Sequence, residues 1–446
     1  MKALNFSSVS TKQQRIATLA KQSPQMGFTS LNHHIDLEWL RQAYRQTRKD
    51  GAVGVDGQTA TDYERDLEKN LQSLLDRAKS GTYRAPPVRR VHIPKGTGND
   101  TRPLGIPTFE DKILQRAVVM LLEPIYEQDF RDCSHGFRPR RSAHQALDVL
   151  WQQSMQVGGG WILEVDICKF FDKLDHAHLR TLLQHRVRDG VVLRLIGKWL
   201  KAGVLEDGAL SFPETGSPQG GVISPILANV YLHYVLDEWF AREVQPRMKG
   251  RTFLIRYADD FVMGFSHEED ARRVMDVLPK RFGKYGLTLH PDKTRLVPFR
   301  RPTGGSRRQE PERDPPGTFD LLGFTHYWGL SLNRRWVVKR KTARSRFTRA
   351  ITAVARWCQK SRHQSIAEQH KTLSRKLRGH FAYYGITGNS AMLSCFRYEV
   401  LRVWRKWLAR RKRGDRYAWS GFARLLEYYP LPAARAVHSV CRVATV

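Results

Sequence analysis

The chain has 446 residues, enough for roughly two to four structural units, and it carries 75 lysines and arginines against 43 aspartates and glutamates. The formal charge of +32 exceeds what solubility requires and indicates a polyanionic partner. The five cysteines form no C-x-x-C pair, which excludes a disulfide framework and a zinc knuckle. An apolar leader and an apolar run of membrane-spanning length are both absent from the sequence, so we expect a cytoplasmic protein without membrane association.

The first part of the chain is predicted to combine amphipathic helices with a short strand. Residues 1–33 are polar and weakly patterned, and we interpret them as an N-terminal extension. Apolar residues at helical spacing predict one helix over 34–50 and another over 61–80, which Gly81 ends. Residues 83–95 alternate like an edge strand interrupted by prolines.

The middle of the chain mixes helices and strands without a regular βαβ repeat. A long apolar stripe that begins after Thr108 predicts a buried helix over 108–130. Residues 158–176 predict a strand and turn, 216–240 a loop and helix, and 251–265 a β-hairpin. This mixture is typical of an α+β fold.

The last part of the chain is strongly basic. Residues 301–317 are rich in Pro, Gly and charge and predict a flexible linker. Residues 318–340 predict a short sheet element, and basic helices follow, including an amphipathic helix over 397–413. From 331 onward there are 27 basic and 4 acidic residues, so this region is the main candidate for binding a polyanion.

Two adjacent carboxylates, Asp259 and Asp260, stand between apolar runs at the predicted hairpin turn. Such a pair is unfavourable unless a cation stabilises it, and a divalent metal could do so. Two-metal phosphoryl transfer needs a further carboxylate, and Asp166 at the end of a predicted apolar strand suits that role. Taken without context, the pair is equally an ordinary acidic turn, which aspartate favours.

Seven motifs occur in a fixed order between residues 34 and 438, and they resemble the successive motifs of group II intron reverse transcriptases. They are IPK…RPLGIPT, SHGFRPRRSAHQA, VDICKFFD, GSPQGGVISPILANVYL, RYADDF, GLTLHPDKT and LLGF. The resemblance implies a right-hand α+β polymerase with an antiparallel palm sheet, followed by a basic, mostly helical thumb and maturase region. Because the sequence has no cysteine-histidine nuclease motif, we expect no DNA endonuclease activity.

The resemblance also implies a division of the chain into functional regions. In chain order these are the N-terminal extension (1–33), fingers with an RNA-binding element (34–155), palm (156–300), linker (301–317), end of palm with thumb or maturase region (318–396), and basic nucleic-acid-binding segment (397–446).

In that family the first aspartate of the D-x-x-x-x-F element and the pair of the Y-A-D-D element hold two metal ions. The matching residues here are Asp166, Asp259 and Asp260, and Ile167 is expected to contact metal and nucleotide beside them. The implied cofactor is a pair of Mg²⁺ ions, with Mn²⁺ as an alternative.

Five further residues match family positions that bind the incoming nucleotide. Phe171 matches the steric gate that excludes a ribose 2′-hydroxyl, although it could instead be core beside Phe170. Lys95 and Arg102 match cations that clamp the triphosphate, and as isolated residues they would be solvated surface charges. Gln219 lies in a glycine-rich loop that could equally be a helix entry.

The fifth nucleotide-binding residue is Tyr257, which precedes the paired aspartates. Lys293 in HPDKT matches the lysine proposed to protonate departing pyrophosphate, although a surface lysine is as good an interpretation from the residue alone.

Other arginines and lysines are expected to contact RNA phosphate, some in a fingers-palm turn and the rest in the segments that resemble the thumb, maturase and C-terminal regions. They are Arg138, Arg140, Arg141, Arg378, Arg405, Lys406, Arg411, Lys412 and Arg413.

These features predict an RNA-directed DNA polymerase that extends a DNA or RNA primer with dNTPs on an RNA template. The family implies that it also binds group II intron RNA to assist splicing and retrohoming, in the bacterial cytosol or nucleoid. Whether it is a monomer or a dimer stays open.

Three alternatives remain. A splicing maturase with little polymerase activity would be expected to lack a metal-binding aspartate, and all three are present. A domesticated defence or repair reverse transcriptase would share the chemistry without the intron. An RNA-templated RNA polymerase or a nucleotidyl cyclase could share the palm, but Phe171 argues against ribonucleotides and the basic extension against a cyclase.

Overall fold

The structure is a computed structural model that describes residues 6–94, 101–206, 208–212, 215–216, 220–302, 316–411 and 418–438. The chain forms two compact units. The first contains residues 1–95, 99–146 and 163–296, and the second contains residues 147–162 and the chain from 297 onward. The proposed fingers and palm lie mainly in the first unit and the proposed thumb in the second, and these names stay predictions.

Helices occur in both units. The α-helices are α1 Phe6–Gln22, α2 Leu37–Gln46, α3 Ala60–Glu64, α4 Leu67–Ser80, α5 Phe109–Asp129, α6 Ala143–Val157, α7 His176–Gln184, α8 Gly190–Leu200, α9 Ser224–Leu232, α10 Glu268–Gly283, α11 Arg344–Lys360, α12 Ile366–Tyr384, α13 Ser390–Ala409 and α14 Trp419–Tyr428. Across the described ranges, no helix is both long enough and apolar enough to cross a bilayer.

The strands form three sheets. They are β1 Val88–Pro94, β2 Thr101–Ile106, β3 Trp161–Val165, β4 Val204–Glu206, β5 Ala209–Ser211, β6 Thr252–Tyr257, β7 Asp260–Phe265, β8 Arg295–Pro298, β9 Phe319–Leu321, β10 Phe324–Leu330 and β11 Trp336–Thr342. The strand orders are β2-β1-β4-β5, β6-β7-β3-β8 and β11-β10-β9.

The predicted helix ends are confirmed at two positions where the sequence has a capping residue. Thr108 accepts a hydrogen bond from the backbone of Asp111 and starts α5, which is buried along most of its length. Gly81 ends α4 with a φ of 83°, in the left-handed region that glycine adopts readily. The helix predicted over 34–50 is shorter than expected, because Asp36 caps α2 one turn later.

Three predictions from the sequence pattern need correction. The polar residues before position 30 include α1, whose Ile16 and Ala20 are buried and which packs on α5. The helix predicted over 61–80 is broken into α3 and α4. The strand predicted to lie at a sheet edge is internal, because β1 pairs with β2 along its length and with β4 at Val88 and Arg89, before the chain reaches Pro94.

The second unit contains the β9–β11 sheet and a helical core. The predicted sheet element is confirmed as three antiparallel strands. The core is formed by apolar side chains of α11, α12, α13 and α14, with Trp404 fully buried. The indole of Trp404 donates to the amide oxygen of Gln369 at 2.9 Å, so this buried nitrogen is paired. The linker prediction at 301–317 falls mostly outside the described residues.

A buried carboxyl in the first unit makes the free energy of unfolding depend on pH. Asp111 is 2% exposed, and Tyr83 donates a hydrogen bond to it. Burial raises the pKa of the Asp111 carboxyl to about 7. Because this folded pKa lies above the ordinary value, the folded state holds the proton more tightly than the unfolded state. The contribution of Asp111 to the free energy of unfolding is therefore complete below about pH 4. It is lost as the pH rises toward 7, by up to about 1.4 kcal/mol per pH unit.

We expect Asp111→Asn to remove this part of the pH dependence. The measurement is the free energy of unfolding of wild type and variant, by chemical denaturation between pH 5 and 8. The free-energy advantage of wild type over the variant should fall as the pH rises from 5 toward 7. Parallel curves for wild type and Asp111→Asn would contradict the prediction.

Candidate active site

The two adjacent aspartates lie at the turn between β6 and β7. Tyr257 at the end of β6 pairs with Asp260 at the start of β7, so Ala258 and Asp259 form the two-residue turn. Ala258 has a φ of 58°, the left-handed conformation typical of tight hairpin turns. The predicted β-hairpin is confirmed, with one carboxylate in the turn and the other at the first position of the returning strand.

A fully buried arginine holds this turn. The side chains of Arg256 and Asp237 have no exposed surface, and they form a two-pronged ion pair with nitrogen–oxygen distances of 2.8 and 2.5 Å. A terminal nitrogen of Arg256 also donates to the carbonyl of Ala258 at 3.0 Å and to the side-chain oxygen of Asn229 at 2.9 Å. Asn229 donates in turn to the carbonyl of Gly136 at 2.8 Å. The turn is therefore fastened through its backbone to a satisfied buried network.

Asp166 reaches the same region from the neighbouring strand. It directly follows β3, which lies beside β7 in the sheet. Its backbone carbonyl accepts from the backbone of His290 at 2.8 Å, which joins it to the segment that carries Lys293. The Lys293 ammonium lies 3.1 Å from a carboxylate oxygen of Asp166, and both side chains are partly exposed. Two residues predicted separately as catalytic are thus in direct contact.

The charges around Asp259 show that the predicted site residues act on one another. Burial raises the pKa of the Asp259 carboxyl, and the nearby carboxylate of Asp166 raises it further. The guanidinium groups of Arg102 and Arg256 act in the opposite direction and lower it. Asp166, Asp259 and Arg102, which are far apart in the sequence, therefore share one electrostatic environment.

The carboxylates can supply some of the ligands of a divalent cation but not all of them. Among the residues that the structure describes, no three His, Cys, Asp or Glu side chains are grouped so as to hold a metal ion by themselves. Mg²⁺ in proteins commonly takes one or two carboxylates and completes its shell with substrate phosphates and water. Because Asp166 repels the ionised form of Asp259, a cation between them would stabilise both carboxylates.

The predicted steric gate lies in the turn that follows Asp166. Lys169 has a φ of 46°, and the next residues form a 3₁₀ turn in which Phe170 is buried and Phe171 is partly exposed. Gly216, with a φ of 96°, approaches this turn so closely that an added Cβ would lie 2.9 Å from the carbonyl oxygen of Phe171. At the other end of the same loop, a Cβ on Gly220 would lie 2.8 Å from the carbonyl oxygen of Gly105 in β2.

Gly216 is thus packed against the Phe171 turn, and Gly220 is packed against the strand that carries Arg102. Gln219 and Lys95 themselves lie outside the described residues. Arg102 is exposed and paired in register with Ile93 of β1. Ile167 is buried and forms an isolated antiparallel bridge with Leu289.

The predicted RNA-binding arginines of the first unit differ in accessibility. Arg138 is buried, and its guanidinium donates to Glu127 and to the backbone carbonyls of Arg131 and Ser134, so we remove it from the proposed RNA surface. Arg140 is exposed, and Arg141 pairs with exposed Asp132.

The predicted cations of the second unit lie on its helices. Arg378 on α12 and Lys406 on α13 are exposed. The guanidinium of Arg405 lies 4.4 Å from the ring centre of Trp419, and Arg411 donates to the carbonyl of Gln364. Lys412 and Arg413 lie outside the described residues.

Comparison with known proteins shows the family of the chain. Residues 93–326 match the family described as reverse transcriptase (RNA-dependent DNA polymerase), which is more than half of the chain. The chain belongs to the reverse transcriptase family. This membership confirms the predicted α+β right-hand polymerase fold and RNA-directed DNA polymerase activity, and the family uses divalent metals.

This reverse transcriptase has relatives in bacteria. It is 36% identical to Protein YkfC of Escherichia coli over 330 residues, which are 65% of this chain and 84% of that protein. It is 46% identical to the group II intron-encoded protein LtrA of Lactococcus lactis over 167 residues, which are 37% of this chain but only 27% of LtrA. The predicted resemblance to group II intron reverse transcriptases is therefore confirmed.

A solved structure of telomerase from Candida albicans, in complex with a fragment of telomeric RNA, is also similar to this reverse transcriptase. The similarity covers 83% of this chain and 65% of the telomerase chain, with a TM-score of 0.43 and 13% sequence identity.

Sequence reasoning missed the residues that support the carboxylates. Arg256, Asn229 and Asp237 were not predicted, although an arginine inside the otherwise apolar strand before Tyr257 was a usable signal. A charged side chain at such a position is favourable only if a partner is buried with it. The identity of that partner depends on tertiary packing and could not be read from the local pattern.

Proposed function

We propose that the chain extends the 3′-hydroxyl of a primer with deoxynucleotides on an RNA template, at a site formed by Asp166, Asp259 and Asp260. The observation that carries this proposal is the shared electrostatic environment of Asp166, Asp259 and Arg102, next to Lys293. Nucleotidyl transfer requires carboxylates for cations and cations for phosphates, and the electrostatic influence of Asp166 and Arg102 on Asp259 supports a site with both kinds of group.

Each residue has a proposed part in the transfer. Asp166, Asp259 and Asp260 would hold two Mg²⁺ ions, which supply activation of the 3′-hydroxyl and stabilisation of the pyrophosphate oxygens when bound. Arg102 would bind the triphosphate of the incoming nucleotide. The Lys293 ammonium, which lies 3.1 Å from a carboxylate oxygen of Asp166, would give a proton to departing pyrophosphate.

Selection of deoxynucleotides is assigned to the turn that carries Phe171. An added Cβ on Gly216 would lie 2.9 Å from the carbonyl oxygen of Phe171, so this glycine packs directly against the turn that carries the ring. An aromatic ring beside C2′ of the incoming sugar would leave no space for a 2′-hydroxyl. Gly216 and Gly220 would hold the connecting loop, with Gln219, along the nucleotide.

The basic second unit would bind the intron RNA. From residue 331 onward the chain has a net charge of +23, and exposed Arg378 and Lys406 lie on the helices there. Contacts with phosphates contribute to RNA affinity but do not distinguish one nucleotide sequence from another. Recognition of one intron would therefore depend on the shape of its RNA. We propose that this binding assists splicing and that copying of the bound intron serves retrohoming.

The direct test is extension of a DNA primer annealed to an RNA template by the purified chain. With dNTPs and Mg²⁺ we expect full extension, which EDTA abolishes, and with ribonucleotides we expect little or none. A folded chain that binds the RNA but extends no primer would contradict the polymerase proposal and favour a splicing factor. Equal use of ribonucleotides would contradict the assignment of Phe171.

A further inference from the structure

An exposed aromatic residue with a strained backbone lies beside the catalytic hairpin. Phe137 has a φ of 55°, in the left-handed region that bulky residues rarely adopt, and it is 59% exposed. The backbone conformation is unfavourable, and the exposed ring gains little from burial. An exposed ring on an unfavourable backbone makes Phe137 a candidate for contact with a ligand.

The turn that carries Phe137 is held rigidly on both sides. On one side, an added Cβ on Gly136 would lie 2.3 Å from the backbone nitrogen of Ala258, and the Gly136 carbonyl accepts from Asn229. On the other side, the buried guanidinium of Arg138 donates to the carbonyls of Arg131 and Ser134, each at 2.8 Å. The backbone at Phe137 is therefore held between two anchored neighbours, as a binding residue requires.

The ring stands next to the residues that would hold the reacting groups. The ring centres of Phe137 and Tyr257 are 6.4 Å apart, with the planes tilted by 41°. Tyr257 directly precedes the turn that contains Asp259 and pairs with Asp260. Arg140, three residues beyond Phe137, is exposed and supplies a positive charge for a phosphate of the same strand.

Nucleotidyl transfer requires the end of the primer to bind near the rings of Phe137 and Tyr257. The primer 3′-hydroxyl has to reach the carboxylates at the hairpin, and the rings of Phe137 and Tyr257 stand beside that hairpin. We propose that Phe137 stacks against the terminal nucleotide of the primer and holds its 3′-hydroxyl at the catalytic carboxylates. This inference rests on the proposed polymerase function, and it makes Phe137 a substrate-binding residue.

The test uses Phe137→Gly, because glycine removes the ring and also accepts the positive φ without strain. We expect the variant to melt at the wild-type temperature or above it, while the Kd for a DNA primer on an RNA template and the KM for that duplex rise about tenfold. Phe137→Trp keeps an aromatic face and should stay near wild type in both quantities. Phe212→Ala removes another exposed phenylalanine, which follows β5, in a sheet that does not contain the β6–β7 hairpin. This variant should have a Kd and a KM close to those of wild type.

The outcomes separate this inference from the polymerase proposal, because duplex affinity is measured without extension. If wild type binds the duplex but extends no primer, the proposed polymerase function is wrong. A higher Kd for Phe137→Gly than for wild type would still support the stacking contact. If Phe137→Gly matches wild type in Kd and KM, the inference is wrong. It is also wrong if Phe137→Gly lowers the melting temperature, since the ring would then be stabilising the fold.

Discussion

Replacement of Asp259 and Asp260 together by alanine is expected to lower the rate of primer extension at least about a thousandfold. The variant loses two of the three carboxylates proposed to hold Mg²⁺, and metal ions stabilise transition-state charge in such reactions by several kcal/mol, where each 1.36 kcal/mol is about tenfold in rate. The fold should survive, because the variant keeps the Ala258 carbonyl, which fastens the turn to buried Arg256. The measurement is the single-turnover rate of extension of a DNA primer on RNA with saturating dNTPs.

The same variant should bind RNA at least as tightly as wild type, since it removes two negative charges from a basic protein. The matched control is Glu268→Ala with Glu269→Ala, which removes the same charge from the exposed start of α10. That control should extend the primer normally. If the two variants lost activity equally, or if the Asp259 and Asp260 variant still extended the primer, the metal-holding role of the hairpin would be wrong.

Local patterns in the sequence were sufficient for the elements that carry the site. The apolar runs on either side of the paired aspartates predicted the β6–β7 hairpin, and the apolar stripe after the capping residue Thr108 predicted α5. These predictions succeed because hydrogen bonding along a hairpin or helix involves residues near one another in the sequence. The order of the motifs then indicated which carboxylates belong to one site, which periodicity alone could not do.

Tertiary packing decided the features that the sequence pattern did not predict. A polar, weakly patterned segment forms α1 because α5 offers an apolar surface for Ile16 and Ala20. Arg138 was expected to contact RNA because it stands among other arginines, but it is buried with Glu127 as its ion-pair partner. The conformation of Phe137 likewise depends on the close approach of Gly136 to Ala258. Each of these outcomes depends on a partner distant in sequence.

The buried arginine network should affect stability and catalysis separately. Arg256→Met leaves Asp237 as an unpaired carboxylate with no exposed surface, and loss of one partner of a buried ion pair destabilises by about 3–5 kcal/mol. Arg256→Met combined with Asp237→Leu removes both charges and should recover most of that stability, because apolar residues of similar size often replace a buried pair without loss. The measurement is the free energy of unfolding by chemical denaturation.

Catalysis should not recover in the double variant. The Ala258 carbonyl and Asn229 lose the guanidinium that fixes them, so the carboxylate of Asp259 is no longer held in one position. Loss of groups that orient metal ligands commonly lowers metal affinity or activity by about 10- to 100-fold. We therefore expect a slower single-turnover extension rate and a higher Mg²⁺ concentration for half-maximal rate, at near wild-type stability.

A second buried pair in the first unit supplies the control for this experiment. Arg186 and Asp129 lie 2.8 Å apart with little exposure, and Arg186 also donates to backbone carbonyls near the end of α1. Arg186→Met with Asp129→Leu removes a comparable pair that makes no contact with the catalytic turn. This control should change the free energy of unfolding by about as much as the Arg256 and Asp237 double variant does. It should leave the Mg²⁺ dependence of the extension rate unaltered. If the Arg256 and Asp237 double variant regained both stability and rate, the network would only fill the core, and the geometry of the carboxylates would have to be maintained by the strand pairing of β6 and β7 alone.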